Sequence, residues 1–292
     1  MRRVVILSAL LCASIAWACG LTVRGSAEPD GGALDPSEGG TVEGGANDAD
    51  VDASIDADAG PTNCEVVVQD DFSNSTFDPA KWLTTRSTEN GVYPIPYFTD
   101  RAQVMMLDPQ KTYARGGLWR VEKLPFDAFD VELDVNVVCQ GNCGDGLAVM
   151  FIDESTAQAL NGAQAGAALG IPGNVNGAAV SVDLAENAGL GDGDSPAVQI
   201  LELDKTKVPA QHPWVVATSP QILTIKNMSH RLAISMRNKM ATVKLDGAQV
   251  VTGVMARIPA EGTFGFGAAA GGYTSGIYIG DLRAKFYRCN AP

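Results

Sequence analysis

Val131-Glu132-Leu133-Asp134-Val135-Asn136-Val137 alternates apolar and polar residues at every step. That is the period of a strand with one face buried and one face wet. Gly146–Ile152 and Ala178–Val182 are apolar runs without alternation, suited to strands covered on both faces. Leu223–Lys226, Leu232–Met236, Thr242–Leu245 and Gln249–Val251 follow at regular spacing, and Asp246-Gly247 has the composition of a hairpin turn. Gly262–Ala268 and Ile277–Phe286 finish the pattern. No amphipathic helix of ordinary length interrupts it, and Thr156–Gln164 has room only for a short helical turn. Many short strands with regular turns predict an all-β sandwich or jelly roll.

This pattern starts only after Cys64. Residues 20–63 hold nine Gly, seven Ala and seven Asp, ten acids against one base, and no aromatic residue. Such a stretch cannot bury a core and reads as a self-repelling, extended spacer. Five of its acids alternate (Asp48, Asp50, Asp52, Asp56 and Asp58), but they lack the turn Gly and closing Glu of a hand-type calcium loop. Most of the net charge of -13 lies there, and no basic stripe exists, so nucleic acid is not an expected partner. Before the spacer, Arg2-Arg3 and the apolar run Val4–Trp17 have the plan of a secretory signal. Ala16-Trp17-Ala18-Cys19-Gly20 resembles a bacterial lipoprotein processing site, which implies lipidation of Cys19. Gly20 in place of Asp implies the outer membrane of a Gram-negative cell. The alternative is ordinary cleavage after Ala18 and a secreted protein. The expected organisation is 1–19 signal, 20–63 linker and 64–292 folded domain.

An exported chain favours disulfides over metal or catalytic cysteines. Cys64, Cys139, Cys143 and Cys289 allow three connectivities. The pairs Cys64–Cys289 and Cys139–Cys143 are expected, the first bringing the initial and final strands together and the second closing a tight loop.

Three stretches carry a resemblance. Gly144-Asp145-Gly146-Leu147-Ala148-Val149-Met150-Phe151, Ala179-Val180-Ser181-Val182-Asp183 and Gly265-Phe266-Gly267-Ala268-Ala269-Ala270-Gly271 are similar, in order and spacing, to strands of the legume-type (L-type) lectins. The resemblance implies a concanavalin A-like sandwich of two antiparallel sheets. It also implies a loop that binds calcium and a transition metal side by side. Asp183, the carbonyl of Ala185, Asn187 and Asp192 fall at the calcium positions, hard oxygen donors of the kind calcium prefers. Asp194 could substitute for Asp192, and the alternative is a plain Gly/Asp-rich turn. The transition-metal Glu is Ser181 and its His is Ala197, so no transition metal is expected. For the sugar, Asp145 accepts hydroxyls and Asn187 donates, and the family often holds that Asp through a cis peptide, here Gly144–Asp145. Gly166, Gly272 and Tyr273 lie where further binding-loop residues belong.

Catalysis is not expected. Related laminarinase-like hydrolases carry Glu-x-Asp-x-x-Glu on one strand, whereas Ser181-Val182-Asp183-Leu184-Ala185-Glu186 lacks the first Glu. Glu202-Leu203-Asp204 is a second partial echo, with Lys207 at the third acid. His212 and His230 are read as surface residues, and Trp82 and Trp119 as core. The expectation is an exported, lipid-anchored glycan-binding protein supported by calcium. The alternatives are a scaffold or adhesion module without a sugar site and, behind it, a glycoside hydrolase.

Overall fold

A computed structural model describes residues 65–74, 76–86, 97–99, 102–110, 112–153, 168–187, 194–206 and 214–288. Cys19, the spacer, Cys64, Thr156–Gln164, Gly166, Asp192, Lys207, His212 and Cys289 lie outside the described residues. The first of two eight-stranded sheets runs β14 (Ala248–Val254), β13 (Met240–Leu245), β12 (Ser229–Arg237), β7 (Ala128–Val138), β16 (Gly276–Tyr287), β4 (Gln103–Leu107) and β3 (Tyr97–Phe98). β1 (Glu65–Asp70) also pairs with β16, in register from Glu65 opposite Tyr287 to Asp70 opposite Leu282. The initial and final strands therefore lie side by side, as expected. The second sheet runs β11 (Trp214–Thr218), β10 (Ala197–Leu203), β9 (Gly177–Asp183), β8 (Gly146–Ile152), β15 (Glu261–Ala269), β5 (Arg115–Arg120) and β2 (Trp82–Arg86), with β6 (Leu124–Pro125) on β15. Neighbours in the second sheet are antiparallel. The concanavalin A-like sandwich is the fold.

The core joins the two sheets. Val131, Leu133, Val135 and Val137 of β7 meet Val149, Phe151, Val180, Val182, Phe264 and Phe266 of the second sheet in one buried cluster. Phe129 stacks on Phe151 at 4.2 Å between ring centroids. A second cluster covers the other face of the second sheet, where Leu169, Ile171 and Val175 lie on Ala148, Met150, Ile152, Ala179, Leu201 and Leu203. Both faces of β8 and β9 are thus dry, which is why those strands read as unbroken apolar runs. Trp82 and Trp119 are core residues, and their indole N–H groups donate to Asp70 Oδ2 at 2.8 Å and Thr85 Oγ1 at 3.1 Å.

Two expectations are corrected. Leu223–Ile225 forms a single 3-10 turn in place of a strand, because Ile225 N–H closes back onto the carbonyl of Ile222 and only Ile225 is buried. His230 is buried inside β12, where Nδ1 lies 2.7 Å from Asp246 Oδ2 and Nε2 lies 3.1 Å from the Thr224 carbonyl. The Asp246-Gly247 turn folds that carboxylate back onto the strand, with both turn residues at positive φ.

Candidate functional site

Antiparallel pairing gathers five strand ends at one edge of the second sheet. Asp183 closes β9 opposite Gly146 and Ala197, the first residues of β8 and β10. Ala269 closes β15 opposite Gly146 and Arg115, the first residues of β8 and β5. The segments that enter and leave these strands meet there, although they are far apart in sequence.

Asp145 stands immediately before β8 and is only 5 % exposed. Its carbonyl accepts the Leu184 N–H at 2.7 Å, which ties it to the loop after β9. A Cβ on Gly271 would sit 3.0 Å from Asp145 Oδ2, so a glycine there lets the backbone close onto the carboxylate. Upstream, Gly144 is clamped by Ser275. The Gly144 N–H donates to Ser275 Oγ at 2.7 Å, and that hydroxyl donates back to the Gly144 carbonyl at 3.1 Å. A Cβ on Gly144 would lie 2.4 Å from the Tyr273 carbonyl, a distance no side chain tolerates. The Cys139–Cys143 disulfide closes the preceding turn, and Cys139 N–H donates to Asn227 Oδ1 at 2.8 Å. The expected cis bond is corrected: Gly144–Asp145 is trans, and among the described residues only Ser195–Pro196 is cis. The hydroxyl clamp and the bridge define the turn in its trans form.

The loop after β9 brings together three of the four residues expected around calcium. Asp183 is 3 % exposed; its Oδ1 accepts the Ala185 N–H at 3.3 Å and its Oδ2 accepts Ser195 Oγ at 3.1 Å and Gln199 Nε2 at 3.3 Å. Asn187 Nδ2 donates to the Ala185 carbonyl at 2.9 Å. Asp192 is outside the described residues, and Asp194 is exposed. Among the described residues no three His, Cys, Asp or Glu side chains converge as metal ligands. The Ala185 carbonyl accepts from the Asn187 amide here, so a cation on this loop would have to replace that hydrogen bond and draw the amide oxygen in beside the Asp183 carboxylate. Those hard oxygens fit calcium chemically. Ser181 is fully buried, 3.5 Å from Gln199 Oε1, and Ala197 faces Asp183 across the sheet.

Two tyrosines flank this edge. Tyr273 is 53 % exposed and Tyr113 63 % exposed. The Tyr113 N–H donates to the Gly271 carbonyl at 2.9 Å, and its hydroxyl lies 4.0 Å from where a Cβ on Gly272 would stand. The structure thus brings Asp145, Gly272 and Tyr273 together, joined through Leu184 to the Asp183–Asn187 loop; Gly166 is outside the described residues. Sequence reasoning missed Tyr113, Ser275, Ser195 and Gln199. Nothing local marks any of the four, because each meets its partner across the fold. The acids of Glu202-Leu203-Asp204 are engaged elsewhere, by Arg257 at 3.7 and 3.0 Å.

Residues 97–282 match the sequence profile of the legume-like lectin family. No curated protein sequence matches the chain. Among solved structures, the chain is similar to the exoplasmic/lumenal domain of VIP36 in its Ca2+- and Man3GlcNAc-bound form, at TM-score 0.59 and 15% identity over 77% of this chain and 90% of that one. The carbohydrate recognition domain of Emp47p aligns at TM-score 0.55 and 16% identity, over 79% of this chain and 100% of that one. Basic winged bean lectin with Tn-antigen aligns at TM-score 0.59 and 13% identity, over 76% and 98%. At these identities the likeness is one of fold.

Proposed function

We propose, on the premise that this chain belongs to the legume-like lectin family, that it binds a glycan reversibly at the Asp145 edge of the second sheet. The observation that carries this reading is the buried Asp145 carboxylate, held by its own backbone and flanked by Gly271. A carboxylate accepts two sugar hydroxyls and the Asn187 amide donates to a third position, a pairing that reads hydroxyl geometry. Tyr273 and Tyr113 offer rings to the apolar face of a sugar, with Gly272 giving the ligand room between them. Pre-ordering matters because binding then costs little further conformational entropy.

Calcium belongs to the same proposal. Asp183, the Ala185 carbonyl, Asn187 and Asp192 would hold it, and its role when bound would be to fix the loop electrostatically. Asp183 and Asn187 remain the groups that position the loop and meet the ligand. The protein acts as a binder: family membership points away from catalysis, and Ser181 supplies no carboxylate where the related hydrolases carry their first Glu. In the cell, lipidation at Cys19 and the acidic spacer of residues 20–63 would hold the sandwich away from an outer-membrane or cell surface.

VIP36 has been solved with Man, Man2 and Man3GlcNAc, so mannose-terminated oligosaccharides are the first probes within a broader glycan array. The protein is expected to retain a defined glycan class, and Asp145→Ala to abolish retention with the far-ultraviolet dichroism and melting midpoint close to wild type. Retention that survives in Asp145→Ala would place the site elsewhere. An array with no retained glycan would favour a scaffold module.

A further inference from the structure

We propose that Gln199 and Ser195 stand in for the transition metal that the resemblance to the L-type lectins implies, orienting Asp183 through hydrogen bonds so that the sugar-site loop is ordered without it. The inference rests on reading this loop as the sugar site.

A buried carboxylate needs either a cation or hydrogen-bond donors. The resemblance to the L-type lectins implies a calcium and a transition metal side by side on the loop that Asp183 opens. Here the positions of the transition-metal Glu and His hold Ser181 and Ala197, a hydroxyl and a methyl. The strand register explains what fills the gap. Gln199 stands opposite Ser181 and Ala197 opposite Asp183, and with period-two alternation all four side chains share one face of the sheet. The Gln199 side chain is 2 % exposed and lies between the two β9 residues. Its Nε2 donates to Asp183 Oδ2 at 3.3 Å, while its Oε1 faces the Ser181 hydroxyl at 3.5 Å. This fixes the amide orientation, because a carboxylate can only accept while a serine can donate. Ser195 Oγ gives the same Oδ2 a second donor at 3.1 Å. The two carboxylate oxygens are thereby divided. Oδ2 is committed to β10 and the residues before it, and Oδ1 turns to the Asp183–Asn187 loop, where it takes the Ala185 N–H.

A neutral amide can do this, whereas a glutamate at the same place could not. Two facing carboxylates would repel, so that one must take up a proton or the pair a cation. Gln199 and Ser195 are accordingly positioning residues, and the chemistry predicts that metal dependence can be restored by one substitution.

The test uses the full chain and three proteins, each melted in chelator, in saturating calcium, and in saturating calcium with added millimolar manganese. The wild-type midpoint should be the same with and without manganese. Gln199→Leu, which keeps the bulk and removes the donor, should fall by about 5 °C in all three buffers. Gln199→Glu should fall similarly in chelator and recover when manganese is added, by mass action on the folded state. A wild-type midpoint that rises with manganese at constant calcium would overturn the proposal, as would a Gln199→Leu protein as stable as wild type or a Gln199→Glu protein indifferent to manganese. Retention of a mannose-terminated oligosaccharide should weaken at least tenfold in Gln199→Leu, and undiminished retention would count against a positioning role. A wild-type chain that retains no glycan sinks the lectin reading alone, because the melts still decide the role of Gln199.

Discussion

Ser275→Ala isolates the clamp that sets Asp145. Ser275 is fully buried, and its single oxygen serves both the N–H and the carbonyl of Gly144. Gly144 lies before β8 begins, so no ladder partner replaces that oxygen. Each buried backbone group left without a partner costs about 1–3 kcal/mol, giving about 2–6 kcal/mol if the vacated space stays dry. A water entering the space would offset part of this, so a loss near 2–3 kcal/mol is expected. For a domain of this size that lowers the midpoint by about 5–10 °C. The effect should also pass to the sugar site, because Gly144 precedes Asp145 and the Asp145 carbonyl holds the Leu184 N–H. Hydrogen exchange resolved to single amides should therefore quicken at Gly144 and, further away, at Leu184, while the β12–β13 hairpin keeps its protection. Glycan retention should weaken about tenfold, equivalent to about 1.4 kcal/mol. A midpoint within about 1 °C of wild type, with exchange at Leu184 unchanged, would refute the reasoning.

Two further outcomes follow from the geometry. The Cys139–Cys143 bridge spans a sequence separation of 4; a loop that short contributes about 2 kcal/mol through the unfolded chain, so the double Cys→Ser protein should melt about 4–8 °C lower and exchange faster around Asp145, as seen by scanning calorimetry and hydrogen exchange. Burial pushes the Asp246 carboxyl up, but its hydrogen bonds with His230 and the Arg231 N–H outweigh that and hold it below the ordinary aspartate value. A lowered folded pKa gives stability that is complete above the unfolded aspartate value and is lost as the pH falls through the folded one. Asp246→Asn should therefore flatten the acid limb of the midpoint-against-pH curve below about pH 4, and a limb identical to wild type would remove Asp246 from the account.

Much of the sandwich was legible in advance, for a local reason. The alternation of Val131–Val137, the unbroken run Gly146–Ile152 and the Asp246-Gly247 turn each state their own burial or backbone geometry within a few residues. The Cys139–Cys143 pair was legible likewise, since its two ends are close in sequence. Leu223–Lys226 misled because an alternation of only four residues is too short to specify a strand, and a single turn following Pro220 satisfies it as well. His230 misled because its partner, Asp246, comes close only when the β12–β13 hairpin folds.

The candidate site divides along the same line. Asp145, Asp183, Asn187, Gly272 and Tyr273 could be picked from order and spacing, because strand register and family resemblance fix where the loops at one sheet edge must fall. The side chains that hold them could not. Ser275 reaches Gly144 across 131 positions, Gln199 reaches Asp183 across 16, and Tyr113 meets Gly271 through β5 and β15 lying side by side. The sequence alone determined that this chain builds an all-β sandwich, because burial periodicity is written locally. Only the tertiary structure decided how Asp145 and Asp183 are gripped, because a hydrogen bond needs angstrom-scale proximity that only the completed sheets create.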